Sequence, residues 1–370
     1  MKLHIFNPEH DIALACHREH FTAPKAGRNL RHDLAFLPVL WAADGDVVLV
    51  DDVRGMCLPN FVKARLAERH VRLVTDLRTI ETPLSWLDIA PWGWDLALRS
   101  RLADLGLTES SLPSRAYIDF VRHASHRQFA AEHVLKQLVG HDDRLTGSAE
   151  YATTINELEE KLAAVHTPCA MLKAPWSSSG RGVRRICTRL GDSNLHAPTL
   201  ADPSVRGWVK GVLGQQGGVM VEPYYDKLLD FGIEFEATPT TVEYRGLSLF
   251  RTAHGAYTGN LLATEVEKTT LTAAYIDVKL IEKCINDILM IISKLFIGKY
   301  IGPLGVDMMI VSAGVGAAKQ ANGLLHPCVE LNLRRTMGHV ALAVSPSLQN
   351  NRELMSIRYD GSYHLDISPL

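Results

Sequence analysis

The segment Cys328-Val-Glu-Leu-Asn-Leu-Arg-Arg335 constrains the fold of this chain more than any other stretch. Its apolar residues predict a strand over Pro327 to Leu333. Since alternate residues of a strand point to one face, Glu330 and Asn332 should present two oxygen donors on the same side. Two arginines follow at once. Hard oxygen donors beside fixed positive charge suit a Mg²⁺ ion that holds a polyphosphate.

A second feature is the small-residue loop in Leu172-Lys-Ala-Pro-Trp-Ser-Ser-Ser-Gly-Arg-Gly-Val183. It lies between two predicted strands, Cys169–Lys173 and Val183–Cys187. It has neither the Gly-Lys-Ser/Thr of a P-loop nor a Gly-x-Gly-x-x-Gly fingerprint. Lys173 at the strand end can place its ammonium group on inner phosphates while the N–H groups of the loop cover the outer ones. Taken alone, the loop fits an ordinary hairpin turn equally well.

Two further segments complete an ordered set. Val219-Met-Val-Glu-Pro-Tyr-Tyr225 predicts a strand that runs into a proline-bounded linker, whose backbone offers a donor and an acceptor to an adenine edge. Asp307 lies alone in an apolar strand predicted over Gly305 to Val311. A carboxylate is costly to bury there unless it is paired or bound to a metal. Together the segments predict ATP chemistry.

The bulk composition is that of an ordinary soluble globular protein. The chain has 370 residues, of which 46% are hydrophobic and 22% charged, and this length suits about two or three domains. A net charge of −2 without a basic run argues against nucleic-acid binding. We expect no signal peptide and no membrane span. Six cysteines without a Cys-x-x-Cys motif favour small core residues in a reduced, cytoplasmic compartment.

The N-terminal third alternates strand and helix patterns, which implies a parallel α/β sheet. Strands are predicted at Lys2–Phe6, Asp46–Val50 and Val71–Val74, and helices at Leu30–Ala42 and Asn60–Glu68. Farther along, helices are predicted from about Arg115 to Leu138 and over Ile276–Phe296, whose apolar residues recur at helical spacing.

Polar residues after the first strand are candidate substrate contacts, because ligands bind at the carboxyl ends of parallel strands. These candidates are Asn7, Glu9 and His10. It is equally plausible that Asn7-Pro8 forms a turn and that Asp11 caps the following helix.

Asn260, in Tyr257-Thr-Gly-Asn260, is a further candidate substrate contact. The segment would then be a loop that faces the phosphates, although its composition favours a surface turn.

In this order, the segments resemble the ATP-grasp superfamily, which includes D-alanine–D-alanine ligase and the biotin carboxylases. The resemblance covers about Ser125 to Val344, and the N-terminal third resembles the pre-ATP-grasp domain of such enzymes. It implies an α/β and α+β fold, in which a parallel N-terminal domain precedes two lobes that hold the nucleotide between antiparallel sheets. The implied domains are 1–110 (pre-ATP-grasp), 111–217 (small lobe with linking helix and flap) and 218–370 (large lobe with the metal site).

The resemblance also implies the nucleotide contacts. Lys173 would contact the α- and β-phosphates, and Arg127 stands where the family usually has a lysine, with a guanidinium fork that can make the same contact. The flap over the β- and γ-phosphates would comprise Ser177, Ser178, Ser179, Gly180 and Gly182. The hinge that reads adenine would comprise Glu222, Pro223 and Tyr224. Asp226 and Asp230 are both candidates for the ribose-binding acid.

The metal ligands implied by the resemblance are Asp307, Glu330 and Asn332, for one or two Mg²⁺ ions or for Mn²⁺. Arg334 or Arg335 would stabilise charge on the transferring phosphoryl group. The family often continues with Pro-Gly after the asparagine, whereas this chain does not. The acceptor side of the site is therefore left open.

The implied function is a ligase that joins a small-molecule carboxylate to an amine through an acyl phosphate, at the expense of ATP. One alternative is a kinase on the same fold that acts on a small hydroxyl compound. Another is a nucleotide-binding regulatory protein without turnover, which the intact acidic set argues against. The resemblance makes a homodimer the default expectation.

Overall fold

The computed structural model describes residues 1–54, 56–177, 180, 182–188, 198–253, 256–313, 323–346 and 352–370. In these ranges the α-helices are α1 (His10–Cys16), α2 (Lys25–Asp33), α3 (Asn60–Glu68), α4 (Leu96–Asp104), α5 (Arg115–Ala124), α6 (Arg127–Ala130), α7 (Lys136–Leu138), α8 (Ile155–Ala163), α9 (Pro203–Gln216), α10 (Glu265–Ala273), α11 (Val278–Phe296) and α12 (Met337–Val344). The strands are β1 (Lys2–Ile5), β2 (Val47–Leu49), β3 (Arg72–Val74), β4 (Asp88–Pro91), β5 (Glu150–Ala152), β6 (Cys169–Lys173), β7 (Val183–Cys187), β8 (Val219–Pro223), β9 (Lys227–Ala237), β10 (Val242–Ala253), β11 (Ala256–Leu262), β12 (Gly302–Ser312), β13 (Gly323–Asn332), β14 (Glu353–Tyr359) and β15 (Tyr363–Pro369).

The N-terminal part forms a parallel four-stranded sheet in the order β3-β2-β1-β4, as the alternation of strands and helices predicts. Strand β4 was not predicted. The helix predicted over Leu30–Ala42 is wrong, because α2 ends at Asp33 and only a 3₁₀ turn, Leu37–Leu40, follows. Pro38 lies in that turn, and proline has no backbone N–H with which to continue a helix.

A small antiparallel sheet has the order β5-β8-β6-β7. Strands β6 and β7 form the predicted hairpin. Strand β8 pairs with β6 in the same sheet, although it lies beyond residue 217, the predicted end of the small lobe. Cys169 and Cys187 face each other across this hairpin, with their Cα atoms 4.0 Å apart and their sulfurs bonded. The expectation that the cysteines are reduced core residues is therefore wrong for this pair. The cytoplasmic location stays a prediction.

The largest sheet has seven antiparallel strands in the order β13-β12-β9-β10-β11-β14-β15. Helix α11 packs on it with the predicted apolar stripe, and Ile281, Ile288 and Phe296 are all buried in the main core. The helix begins after Asp277, whose carboxylate accepts a hydrogen bond from the Lys279 N–H.

The single helix predicted from Arg115 to Leu138 is interrupted. Helix α5 ends at Ala124, and α6 starts again at Arg127 after a cap by His126. A π-helical turn, Ala131–Leu135, then connects α6 to α7. The break places Arg127 at the start of a new helix, α6.

One apolar cluster joins the beginning of the described chain to its end. Phe36 and Leu40 of the N-terminal part are buried together with Val340, Met355 and Leu365. The hairpin β14–β15 therefore extends the large sheet and also covers the N-terminal part. Among the described helices, none combines the length and the apolarity that a bilayer crossing requires. The domain limits given above stay a prediction.

Candidate active site

The acid hairpin, defined here as Asp307 on β12 with Glu330 and Asn332 on β13, brings the three predicted metal ligands together. Asp307 lies directly opposite Glu330, and the Asn332 side-chain amide donates a hydrogen bond to Asp307 at 3.3 Å. Period-two alternation of the strand places Glu330 and Asn332 on the same face. The structure thus brings three oxygen-bearing side chains to one point.

Ionisation of Asp307 in the acid hairpin is unfavourable. Burial, together with the negative charges of Glu330 and Glu234, raises the pKa of Asp307 to about 8. Two carboxylates and an amide oxygen are hard donors that fit Mg²⁺ or Mn²⁺. Among the residues that the structure describes, no three His, Cys, Asp or Glu side chains form a candidate metal cluster.

Arg127 connects the acid hairpin to the small sheet. Its Nη1 donates to the Ala174 carbonyl at 2.5 Å and to Ser177 Oγ at 2.9 Å. Its Nη2 donates to Glu330 Oε1 at 2.8 Å. The guanidinium is buried, and its Nε has no hydrogen-bond partner within the part of the chain that the structure describes. One side chain therefore contacts both the start of the flap and a candidate metal ligand.

Lys173 and Glu222 form a buried ion pair on the small sheet. The Lys173 ammonium donates to Glu222 Oε2 at 2.5 Å. Met171 is opposite Glu222 and Lys173 is opposite Met220, so the two charged side chains are diagonal neighbours on one face. Sequence reasoning assigned Lys173 to phosphates and Glu222 to adenine, and it missed that they contact each other.

The hinge follows directly from this strand. Pro223 ends β8, and the Tyr224 N–H donates to the Cys169 carbonyl at 2.9 Å. The guanidinium carbon of Arg185 lies 3.9 Å from the centre of the Tyr224 ring. The hinge is thus held by the backbone of β6 and by a cation–π contact.

The described part of the flap is closed at its base. The Ala174 N–H donates to the Gly182 carbonyl at 2.8 Å. A Cβ atom at position 182 would clash with Ser177 Cβ, so this close approach requires glycine. Gly180 has φ of 70°, a left-handed conformation that also favours glycine. Ser178 and Ser179 lie outside the described residues.

A scan against protein-family models finds no match, and a search of curated proteins finds none either. Among solved structures, the chain is similar to a putative ATP-grasp superfamily protein from Archaeoglobus fulgidus, with a TM-score of 0.49, 12% identity, and coverage of 100% of this chain and 99% of the other. It is also similar to N5-carboxyaminoimidazole synthetase from Staphylococcus aureus complexed with ADP (TM-score 0.44, 11% identity, coverage 80% and 72%). A third is phosphoribosylamine–glycine ligase from Thermotoga maritima (TM-score 0.45, 12% identity, coverage 98% and 83%).

All three TM-scores lie below one half. The architecture of the present chain is defined by its three sheets. A parallel N-terminal sheet is followed by a small antiparallel sheet with the flap and by a large antiparallel sheet with the acid hairpin. Arg127 bridges the last two. This is the order of sheets that the resemblance to the ATP-grasp superfamily implies.

The two candidate ribose-binding acids lie in different environments. Asp230 is within β9, where it pairs with Lys227 and accepts a hydrogen bond from Thr252 Oγ1 at 2.9 Å. Asp226 is exposed in the β8–β9 linker, and its carbonyl accepts a hydrogen bond from the Ser312 N–H at 2.8 Å. The carboxylate of Asp230 is thus already engaged by the sheet, which favours Asp226.

The two arginines after the acid hairpin differ in what they contact. Arg334 pairs with Asp11 of α1 through Nε to Oδ1 at 3.0 Å and Nη2 to Oδ2 at 2.9 Å. Burial alone would lower the pKa of Arg334, but the charges of Asp11, Glu330 and Asp307 outweigh it and raise the pKa. Arg335 instead lies over the Trp41 ring, at 4.5 Å from its centre. The charges of Glu330 and Asp307 act on Arg334, whereas those that act on Arg335 belong to Glu236 and Glu234.

The interpretation of Asp11 as a helix cap is wrong. The residue before α1 is Glu9, and it makes no side-chain capping hydrogen bond. The carboxylate of Asp11 instead meets Arg334, 323 residues away in sequence. Sequence reasoning missed this contact, and no local pattern signals it.

Asn7 and His10, two of the candidate substrate contacts, are engaged within the N-terminal part. The Asn7 amide donates to the Gly93 carbonyl at 2.8 Å and to Asp95 Oδ2 at 3.1 Å. His10 Nδ1 lies 3.2 Å from the same Asp95 oxygen. These contacts fasten the loop after β1 to the loop after β4.

Glu9, the third candidate, lines a cavity of about 360 Å³ next to the carboxyl end of β1. One carboxylate oxygen, Oε1, pairs with Arg31, while the buried Oε2 has no hydrogen-bond partner among the described residues. Arg101 and Ser100 line the same cavity, which we call the polar cavity. An unpartnered buried acceptor of this kind is ready to receive a donor group.

The two sequence interpretations of the Asn260 segment, a loop that faces the phosphates and a surface turn, are both wrong. Asn260 is in the middle of β11 and is fully buried. Its amide nitrogen donates to the Leu249 carbonyl at 3.3 Å, and its oxygen accepts a hydrogen bond from the Tyr257 hydroxyl at 2.6 Å. Its polar atoms are satisfied inside the sheet, so its role as a substrate contact is not supported.

Sequence reasoning also missed a buried network around Glu234 on β9. Ser248 Oγ donates to Oε1 at 2.9 Å, and Thr336 Oγ1 donates to Oε2 at 2.9 Å. His339 Nδ1 lies 2.9 Å from the same Oε2. Burial would raise the pKa of Glu234, but His339 and the two hydroxyls outweigh it and lower the pKa. The available signal was an acid directly between two apolar residues of a strand, since Ile233 and Phe235 flank Glu234 as Val306 and Met308 flank Asp307.

Proposed function

We propose that the protein is a Mg²⁺-dependent ATP-grasp ligase that joins a carboxylate to an amine through an acyl phosphate and releases ADP and phosphate. The observation that carries the proposal is the position of Arg127. It holds Ser177 at the start of the flap and Glu330 of the acid hairpin with one guanidinium group. Arg127 thus contacts both a group suited to a triphosphate and a group suited to its metal ion.

The nucleotide binds between the small and the large sheet. Lys173, oriented by Glu222, provides positive charge for the inner phosphates, and the flap provides N–H groups for the outer ones. The hinge after β8 provides backbone groups for adenine, and Asp226 is the candidate for the ribose hydroxyls. Phosphoryl transfer depends mainly on positioning and charge neutralisation, which such a set supplies.

The acid hairpin would hold Mg²⁺, or Mn²⁺, through Asp307, Glu330 and Asn332. When bound, the ion neutralises charge on the β- and γ-phosphates. The raised pKa of Asp307 supports this assignment, because that carboxylate loses its proton easily only beside added positive charge.

Arg334 stabilises the charge that develops on the transferring phosphoryl group and on the acyl phosphate. Its guanidinium is held in place by Asp11, which acts through it as a positioning residue. Arg335, which packs on Trp41, supports this segment rather than the reacting atoms.

The amine binds in the N-terminal part. Glu9 Oε2 in the polar cavity is the acceptor for its N–H groups, while Asn7 and His10 fasten the loop that carries Glu9. Both substrates are small molecules. A homodimer stays our expectation from the family resemblance, and a cytoplasmic location stays our expectation from the sequence.

The test begins with the protein, Mg·ATP and a small-metabolite extract, followed by mass spectrometry. ADP, phosphate and a new condensation product are expected. The acid so identified is then labelled with ¹⁸O in its carboxylate. Transfer of ¹⁸O into the released phosphate supports an acyl phosphate, because one carboxylate oxygen leaves with the phosphoryl group.

Other outcomes overturn the proposal. A persistent phosphate ester without ¹⁸O in free phosphate indicates a kinase. A melting temperature that rises with ATP, but without ATP consumption across extracts, indicates a non-catalytic nucleotide binder. The Glu330→Gln variant serves as the control that should form neither ADP nor product.

A further inference from the structure

An apolar cleft of about 320 Å³ lies between helix α1, the two ends of the flap and helix α9. Its apolar walls are Ile12, Ala15, Trp176, Trp208 and Val212, and Gly211 forms part of its floor. We call it the apolar cleft. It is separate from the polar cavity, since the two share no lining residue.

No charged residue lines the apolar cleft among the residues that the structure describes. The guanidinium carbons of Arg122 and Arg184 lie 4.0 Å and 5.1 Å from the ring centres of Trp176 and Trp208. The indole N–H of Trp176 is already used, because it donates to the Arg122 carbonyl at 3.0 Å. The Trp176 backbone N–H donates to Gln216 Oε1 at 2.9 Å. Ile12 and Trp208 are only half-buried, so their apolar surface remains in contact with water. Covering such an apolar surface with a ligand is favourable, because it removes the surface from water.

The apolar cleft adjoins the proposed catalytic groups on two sides. Ile12 follows Asp11, the partner of Arg334, in helix α1. Ser177 lines the cleft and also accepts the hydrogen bond from Arg127, which contacts Glu330. A molecule in the cleft is therefore next to the flap and near the acid hairpin.

Helix α9 contributes a glycine, Gly211, to the lining of this cleft. The cleft residues Trp208, Gly211, Val212 and Gln215 have the spacing of a single helix face. Glycine is unfavourable inside a helix, yet a Cβ atom at Gly211 would meet nothing within 4 Å. The missing side chain thus creates space rather than avoiding a clash.

We propose that the apolar cleft binds the alkyl or aromatic group of the carboxylate substrate, and that the carboxylate of that substrate reaches the acid hairpin. This inference rests on the proposed ligase function and adds the substrate class to it. An engineered cavity of about 150 Å³ holds benzene. A cleft of about 320 Å³ therefore has room for a phenyl ring or an alkyl chain of several carbons.

The test uses straight-chain carboxylates from acetate to octanoate together with 3-phenylpropionate. Binding is measured without ATP by tryptophan fluorescence and saturation-transfer NMR, and ADP release is measured with Mg·ATP. We expect affinity to rise about fourfold per added methylene until the cleft is filled. KM for the acid should fall in parallel.

Two leucine variants of helix α9 isolate the cleft. Gly211→Leu fills it and should flatten the dependence on chain length, with Gly211→Ala intermediate. Gly207→Leu is the matched control, because Gly207 is on the same helix, does not line the cleft and also has nothing within 4 Å of an added Cβ. It should keep the wild-type dependence.

The outcomes separate this inference from the proposed function. Turnover with short acids but no dependence on chain length overturns the cleft assignment and leaves the ligase function standing. Chain-length-dependent binding that Gly211→Leu removes, without turnover by any acid, supports the cleft and overturns the ligase. Equal effects of Gly211→Leu and Gly207→Leu also overturn the cleft assignment, since position 207 does not touch it.

Discussion

Glu234 and Asp307 are both partly or wholly buried carboxylates on neighbouring strands, yet their pKa values move in opposite directions. Gly232, two residues before Glu234, is directly opposite Asp307. Burial raises the pKa of either carboxyl. Glu234 has Ser248, Thr336 and His339 as partners, and its pKa falls. Asp307 has the Asn332 amide and faces Glu330, and its pKa rises to about 8.

The difference separates a structural acid from a functional one. The protein itself supplies every partner that the Glu234 carboxylate needs, so this network stabilises the fold. For Asp307, the charge of Arg334 lowers the pKa but does not outweigh burial and the two glutamates, and a substrate complex can bring further positive charge. The number of partners, rather than burial alone, distinguishes the two roles.

The largest expected effect is on turnover. Asp307→Asn and Glu330→Gln should each lower the ligase or ATPase rate by about 10³-fold or more, because they remove the charge that holds the metal ion. Steady-state kinetics measure the loss, and circular dichroism checks that the fold is intact. Glu243→Gln, an exposed acid of the same sheet, should keep the wild-type rate. Near-normal rates in either hairpin variant would show that the metal assignment is wrong.

The next effect is on stability. Glu234→Gln should lower the free energy of unfolding by about 2–4 kcal/mol. Ser248, Thr336 and His339 surround the carboxylate, and the glutamine amide has no negative charge to pair with them. Urea unfolding followed by circular dichroism measures the change. Asp307→Asn, the matched variant on β12, should not lower stability. An unaffected Glu234→Gln protein would remove the distinction drawn between the two acids.

Lys173 provides a third case, a buried charge pair that also has a proposed ligand. Lys173→Met should weaken ATP binding about tenfold to 100-fold by calorimetry, since a charged hydrogen bond to phosphate is lost. It should also destabilise the fold by leaving Glu222 unpaired. The double variant Lys173→Met/Glu222→Met should recover stability without recovering ATP affinity. Recovery of both would assign the pair a purely structural role.

The smallest effect depends on pH. The pKa of Asp307 is raised from 3.8 to about 8 by folding, so its contribution to stability is full below about pH 4 and is lost as the pH rises towards 8. Without metal, Asp307→Asn should therefore be more stable than the wild type by about 1 kcal/mol or more at pH 8. Urea titrations between pH 5 and 8.5 measure the gap, which should close at low pH. A gap independent of pH would contradict the raised pKa.

Local patterns predicted much of the acid hairpin and little of its surroundings. Period-two alternation was enough to place Glu330 and Asn332 on one face, and the small-residue loop was enough to place the β6–β7 hairpin. The break before Arg127 was not predicted, because the apolar pattern continues through it. Tertiary packing decides where that helix stops.

Contacts between distant segments could not be read from one sequence. Asp11 and Arg334 are 323 residues apart, and Arg127 and Glu330 are 203 apart. Nothing local marks either pair. Asn260 was misplaced for a related reason, since its neighbours have the composition of a turn while the strands on both sides impose an extended conformation.

The apolar cluster shared by Phe36, Leu40, Met355 and Leu365 has a consequence for how the chain acquires its structure. Residues that leave the ribosome early depend on residues made much later to cover their apolar side. Contacts of such long sequence separation slow folding. During refolding, we therefore expect the amide hydrogens of the N-terminal sheet to become protected from exchange only when the hairpin β14–β15 has docked.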